Sequence, residues 1–115
     1  MTGFANYPGL DGMTVFVTGG AAGIGRSLAE QCAVEQMKIV LADVEVDVLA
    51  QTAAALREQG ADVLEVICDV SDATQVEALA EAAFGRFGAV HLLFNNAGVA
   101  GGMNSWKSTL DDWNW

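Results

Sequence analysis

Positive charge is what this chain most lacks. Five Lys and Arg stand against 15 Asp and Glu, a formal charge of −10, and such an excess repels phosphate backbones and anionic lipid alike. Nucleic-acid and membrane-surface binding are therefore disfavoured. Histidine occurs once, as His91, and cysteine twice, as Cys32 and Cys68, with no Cys-x-x-Cys pair. No metal site is expected from so few ligands, and the thiols read as reduced and buried. His91 precedes an apolar segment and reads as a satisfied or partly exposed side chain, not a general base. No apolar run reaches the ~18 residues of a membrane span, and residues 1–8 lack the basic region and apolar core of a leader, so a cytoplasmic location is expected. At 115 residues the chain has room for one domain and falls below the ~150 residues that two nucleotide-binding halves need.

Glycine and apolar side chains are plentiful, with 13 glycines and 52% hydrophobic residues, which argues for a packed chain with many turns. The glycines concentrate in Val15-Phe16-Val17-Thr18-Gly19-Gly20-Ala21-Ala22-Gly23-Ile24-Gly25. A β-branched run enters the cluster and a helical pattern leaves it, which predicts strand, tight turn, helix. Glycine there removes the Cβ atoms that hold an anion off the backbone, while the helix presents unpaired amides and a partial positive charge. The expected product is a phosphate cradle, with a ligand-free glycine turn as the alternative.

Three spacings compete for this loop. Gly-x-Gly-x-x-Gly fails, because Leu28 stands where glycine is required. The nucleotide-hydrolase loop fits the frame from Gly20 to Ser27 but puts Arg26 in place of the essential lysine. Thr18-Gly19-x-x-x-Gly23-x-Gly25 fits at every position.

Around the loop the chain alternates. Residues 1–12 read as an irregular lead-in, and strands are expected at 13–18, 38–42, 63–67 and 90–94. Between them lie helices at about 24–36, 46–59 and 73–87. Ile24, Leu28, Cys32, Ala29 and Ala33 are expected inward on the first, and Leu49, Ala53 and Leu56 on the second, which Gly60 closes. Asp72 caps the third, with Gln75 three residues on, and Val76, Leu79, Ala80, Ala83, Phe84 and Phe87 mark its inner face. Short connections and right-handed crossovers then give a doubly wound parallel α/β sheet. Its strand order is 3-2-1-4 if the chain reverses direction after the third strand. After residues 99–107, which read as loop, residues 109–115 begin a helix that Ser108 or Thr109 could cap; the chain is expected to be a fragment that stops inside this element.

Each strand ends on a residue with chemistry to offer. Asp43 closes the second, 18 residues past Gly25, near the ~20 expected of an acid that binds an adenosine ribose; a solvated cap is the alternative. Asp69 and Val70 follow the third, where a plain turn acid competes. Asn95-Asn96-Ala97-Gly98 follows the fourth, and no hairpin partner downstream supports an ordinary Asn-Gly turn. All candidates thus share the carboxyl edge of the sheet, where ligands bind in open parallel folds.

Together, Thr18-Gly19-x-x-x-Gly23-Ile24-Gly25, Asp43, Asp69-Val70 and Asn96-Ala97-Gly98 resemble, in order and spacing, the short-chain dehydrogenase/reductase family, from about Leu10 to Trp115. The resemblance implies a Rossmann-type fold and hydride transfer between a nicotinamide and a carbonyl or secondary alcohol. It also implies a cofactor site formed by Gly19, Ala22, Gly23, Ile24, Gly25, Asp43, Val44, Asp69, Val70, Asn96, Ala97 and Gly98. NAD is expected over NADP, since the Asp43 carboxylate repels a 2′-phosphate and positions 20, 21, 22 and 44 carry no Lys or Arg to offset it.

The family's Tyr-x-x-x-Lys pair has no counterpart in these residues. Tyr7 precedes the loop with Asp11 four residues on, and neither Lys38 nor Lys107 follows a tyrosine at the needed spacing. Asn114 falls short of the position of the family's helix Asn, so no catalytic residue is assigned and residues 1–115 alone are expected to be inactive. Trp106, Trp113 and Trp115 are read as buried helix and subunit-contact surface, in keeping with a homo-oligomer. Two other functions compete: a non-catalytic dinucleotide sensor, and phosphoryl transfer resting on Gly20 to Ser27.

Overall fold

The computed structural model describes residues 8–97. After a single 3-10 turn at Pro8–Leu10, within the lead-in, strands β1 (Thr14–Thr18), β2 (Lys38–Asp43), β3 (Val63–Ile67) and β4 (Leu92–Asn95) alternate with helices α1 (Gly23–Val34), α2 (Val46–Glu58) and α3 (Ala73–Phe87). The strands form one parallel sheet in the order β3-β2-β1-β4. Its register pairs Thr18 with both Ala42 and Asn95, and Asp43 with Ile67, so the carboxyl ends of all four strands are level. The expected topology is the observed one.

The sheet buries both faces, as an apolar parallel strand such as Ile39-Val40-Leu41-Ala42 requires. Val15, Val17, Ile39 and Leu41 pack beneath α1 and α2 with Ala29, Cys32, Leu49, Ala53 and Leu56. Val40 and Ala42 face the other way, against Cys68 and the Leu79 and Ala83 of α3. Each fully buried Val, Leu or Ile contributes roughly 1.5–3 kcal/mol, which makes the first face the larger share of the core. The end of α2 is closed by Gly60 N–H donating to the Arg57 carbonyl and Ala61 N–H to that of Leu56, at 2.9 and 3.1 Å.

Two expectations about helix faces are corrected. Ile24 is 72% exposed, and the buried row of α1 is Gly25, Ala29 and Cys32; the helix is rotated so that its glycine, not its isoleucine, approaches the end of β1. On α3, Leu79 and Ala83 are buried as expected, but Val76 and Phe84 are 38% and 54% exposed. The cause is the placement of α3 over β2 and β3. That leaves Val76 and Phe84 on the rim of a 460 Å³ apolar hollow shared with Phe16 and Leu93. No helix among the described residues is long and apolar enough to cross a membrane.

Candidate functional site

The loop between β1 and α1 turns through Gly19, whose φ of +65° lies in the left-handed region where a side chain is strained. Gly25 is needed for space. A Cβ there would collide with the Gly19 carbonyl oxygen and stand 2.7 Å from the Asn96 side-chain nitrogen. This close approach lets the loop fold back over the start of its own helix.

The loop is then tied down from both sides. On the β4 side, the Thr18 hydroxyl accepts from the backbone amides of Asn96 (3.0 Å) and Ala97 (3.1 Å), and the Asn96 side chain donates to the Gly19 carbonyl at 3.2 Å. On the β2 side, Gly20 N–H donates to the Ala42 carbonyl at 3.2 Å and Ala21 N–H to the Asp43 carboxylate at 3.0 Å. Asp43 also accepts from Glu45 N–H at 3.1 Å, so one carboxylate joins the glycine loop to the turn that opens α2.

Ala22 is the N-cap of α1, and its side chain makes no capping hydrogen bond. The first amides of the helix, which no intrahelical carbonyl can reach, therefore keep their positive end free for an anion. Arg26 does not contribute: its guanidinium is turned along the helix to Glu30 at 2.9 Å. The lysine-like role that phosphoryl transfer would ask of position 26 is thus without geometric support.

Beside the loop lies a cavity of 260 Å³ lined by Gly19, Asp43, Val44, Asp69, Val70, Asn96 and Ala97, together with Ala42 and Cys68. Strand ends from all over the sheet meet there. Ala22, Gly23, Ile24 and Gly25 flank it as the end of the loop and the first turn of α1. Gly98 lies outside the described residues, as do Tyr7, Ser108, Thr109, Asn114 and the tryptophans at 106, 113 and 115.

The acids at this edge are shaped by their neighbours. Hydrogen bonds from the Ser71 hydroxyl (2.6 Å) and amide (2.9 Å) hold the Asp69 carboxyl below its ordinary range. Burial, and then the negative charge of Asp69 and Asp72, pushes the Cys68 thiol up, which keeps it protonated and unreactive against the cavity wall. Burial and then Glu35 push Cys32 up to about 11. Far from this edge, His91 accepts the Thr14 N–H on Nδ1 at 3.0 Å, the satisfied histidine expected from the sequence.

Two participants escaped the sequence argument. Thr18 was visible as part of the glycine motif, yet its hydroxyl as the knot between β1 and the Asn96 segment was not. Thr52 interrupts the inward row Leu49, Ala53, Leu56, and a polar residue inside an apolar row must find a partner. That interruption was the available signal.

Known proteins with this arrangement are many. The chain is 42% identical over 101 residues to 1-deoxy-11-beta-hydroxypentalenate dehydrogenase of Streptomyces avermitilis, an alignment that covers 86% of this chain and 37% of that protein. It is 43% identical over 96 residues to levodione reductase of Leifsonia aquatica, covering 82% and 36%. Among solved structures, a short chain dehydrogenase/reductase from Burkholderia phymatum in complex with NAD superposes with a TM-score of 0.80 at 51% identity, over 92% of this chain and 38% of that one. L-sorbose reductase from Gluconobacter frateurii, complexed with NADPH and L-sorbose, gives 0.80 at 35% identity, over 91% and 40%. The chain thus spans well under half the length of these relatives. A model of the short chain dehydrogenase family matches residues 13–115, and the chain belongs to that family.

Proposed function

We propose that these residues are the cofactor-binding part of a nicotinamide-dependent oxidoreductase acting on a carbonyl or secondary alcohol, and that the cofactor is NAD. The observation that carries this reading is the meeting of four strand ends on one cavity next to a helix start with no side-chain cap. An extended ligand with two adjacent phosphates and an adenosine fits that sequence of surfaces. The pyrophosphate would lie against the backbone from Gly19 to Gly25, and the adenosine ribose against Asp43. The adenine would sit between Asp69, Val44 and Val70, and the backbone from Asn96 to Gly98 would border the nicotinamide-side ribose. When bound, the nicotinamide supplies hydride chemistry; the residues described here bind and orient. Relatives solved with NAD and with NADPH support the cofactor class. The choice of NAD rests on the Asp43 carboxylate, which offers acceptors to ribose hydroxyls and repels a 2′-phosphate.

Titration of NADH and NADPH by nucleotide fluorescence tests this. The parent chain should prefer NADH, and Asp43→Ala should weaken NADH by roughly tenfold or more, as for a lost bond to a charged group, while NADPH loses less. Equal losses for both would defeat the ribose assignment. Residues 1–115 contain no Tyr-x-x-x-Lys pair, so alcohol oxidation by this polypeptide should be undetectable.

A further inference from the structure

We infer that Thr52, on α2 and away from the cavity, is a positioning residue for the dinucleotide loop; the inference rests on the cofactor reading above. Thr52 is completely buried. A helical threonine ordinarily returns its hydroxyl proton to a carbonyl one turn back, but Thr52 donates instead to the carbonyl of Ala21, 31 residues away, at 2.6 Å. Ala21 is itself only 1% exposed, and its N–H is taken by Asp43. Both backbone polar groups of residue 21 are therefore held by the β2–α2 segment.

Peptide planarity turns this into a statement about the site. The peptide joining Ala21 to Ala22 is trans, so its C=O and N–H point in opposite directions. With the carbonyl drawn into the core by Thr52, the Ala22 N–H must point away from α2, out toward the open start of α1. Thr52 thus fixes the direction of the amide that precedes the free amides of the helix, without touching any ligand. Losing that bond leaves a buried carbonyl unsatisfied, and a rotation of this peptide to recover a partner would swing the Ala22 N–H out of the array. The penalty should fall on phosphates rather than on the adenosine, whose contacts come from the ends of β2 and β3.

Affinities for ADP, NADH and adenosine, measured on Thr52→Val and Thr52→Ser, decide the matter. Valine keeps the shape and removes the donor; serine keeps the donor. Thr52→Val should raise the dissociation constants of ADP and NADH about tenfold, the cost of one preorganised hydrogen bond, and leave adenosine within about twofold of the parent. Thr52→Ser should restore ADP and NADH binding. A purely structural threonine would lower the unfolding temperature with no change in the ratio of ADP to adenosine affinity, and that result overturns the inference. If Thr52→Val does not fold, Thr52→Cys, of similar volume and with a poor donor, is read by the same ratio. Failure of the parent chain to bind either dinucleotide would overturn the cofactor reading itself, whereas parent binding with an unchanged ratio in the variants overturns the Thr52 assignment alone.

Discussion

Three helices among the described residues begin at the same edge of the sheet. α2, like α1, starts without a side-chain cap, at Glu45, and the first turns of α1, beside the glycine loop, and of α3 are finished in opposite ways. At α3, Asp72 accepts from Thr74 N–H at 3.0 Å and Gln75 N–H at 3.3 Å. The Gln75 amide then bonds the Asp72 carboxylate at 3.1 Å and the backbone N–H of Asp69 at 2.8 Å. At α1 the N-cap is Ala22, in extended backbone with nothing to offer. An alanine in place of Ser, Thr, Asp or Asn forgoes about 0.5–2 kcal/mol, and Gly25 within α1 forgoes about 1 kcal/mol more relative to alanine. One helix start is finished for stability; the other gives up stability and keeps its amides available. The overall charge of −10 sharpens the contrast, because the long-range field opposes an anionic ligand and attraction must come from local dipoles.

The largest effect expected from disturbing this contrast is at Gly25. In Gly25→Ala the new methyl meets the Gly19 carbonyl and the Asn96 amide, and backbone cannot step aside as a flexible side chain would. α1 must shift off β1, at about 1–3 kcal/mol, and NADH binding should fall below detection in a fluorescence titration. An unfolding temperature and affinity equal to the parent's would show that the close approach is not required.

A smaller effect, but one with opposite signs in two assays, is expected for Ala22→Asp. The backbone at Ala22 is already extended, at φ −150° and ψ 173°, so an aspartate there can cap α1 and stabilise the chain by about 1 kcal/mol. The same carboxylate would occupy the place proposed for the phosphates and repel them, so NADH affinity should drop at least tenfold, on the order of one charge-assisted hydrogen bond. Denaturant unfolding and NADH titration on one preparation check both. If stability and affinity rise together, the open end of α1 is not where the anion binds.

How far the sequence told these two starts apart depends on what each uses. The cap of α3 was legible, since Asp72 and Gln75 are side chains at a fixed spacing, although Gln75 turned out to bond the Asp72 carboxylate and the Asp69 amide. The strands and their order were legible because apolar runs such as Ile39 to Ala42 and short connections leave few topologies. The loop was legible as a motif, through Gly19, Gly23 and Gly25, but not as a set of contacts: its fastening by Thr18, Asp43 and Thr52 joins residues 22 to 79 positions apart. Periodicity likewise showed that Val76 and Phe84 share a stripe with Leu79, yet which part of a stripe is covered depends on where the helix lands on the sheet. The outward turn of Ile24 was hidden for a similar reason, because the demand that Gly25 face Gly19 comes from packing and not from hydropathy.

The smallest effect is expected where the two starts are made alike. Asp72→Ala strips α3 of its cap and frees the amides of Thr74 and Gln75, at about 1 kcal/mol of stability, while Asp72→Asn, an equally good cap, should restore most of it. NADH affinity should stay within about twofold, a change of under ~0.5 kcal/mol. The bond from Gln75 to the Asp69 amide survives without Asp72, and the loop between β1 and α1 is fastened to β2, α2 and β4 rather than to α3. Thermal unfolding and NADH titration of the three chains make the check. A loss of affinity as large as that expected for Ala22→Asp would mean that the closed helix start governs the site, and the division of labour between α1 and α3 would have to be reversed.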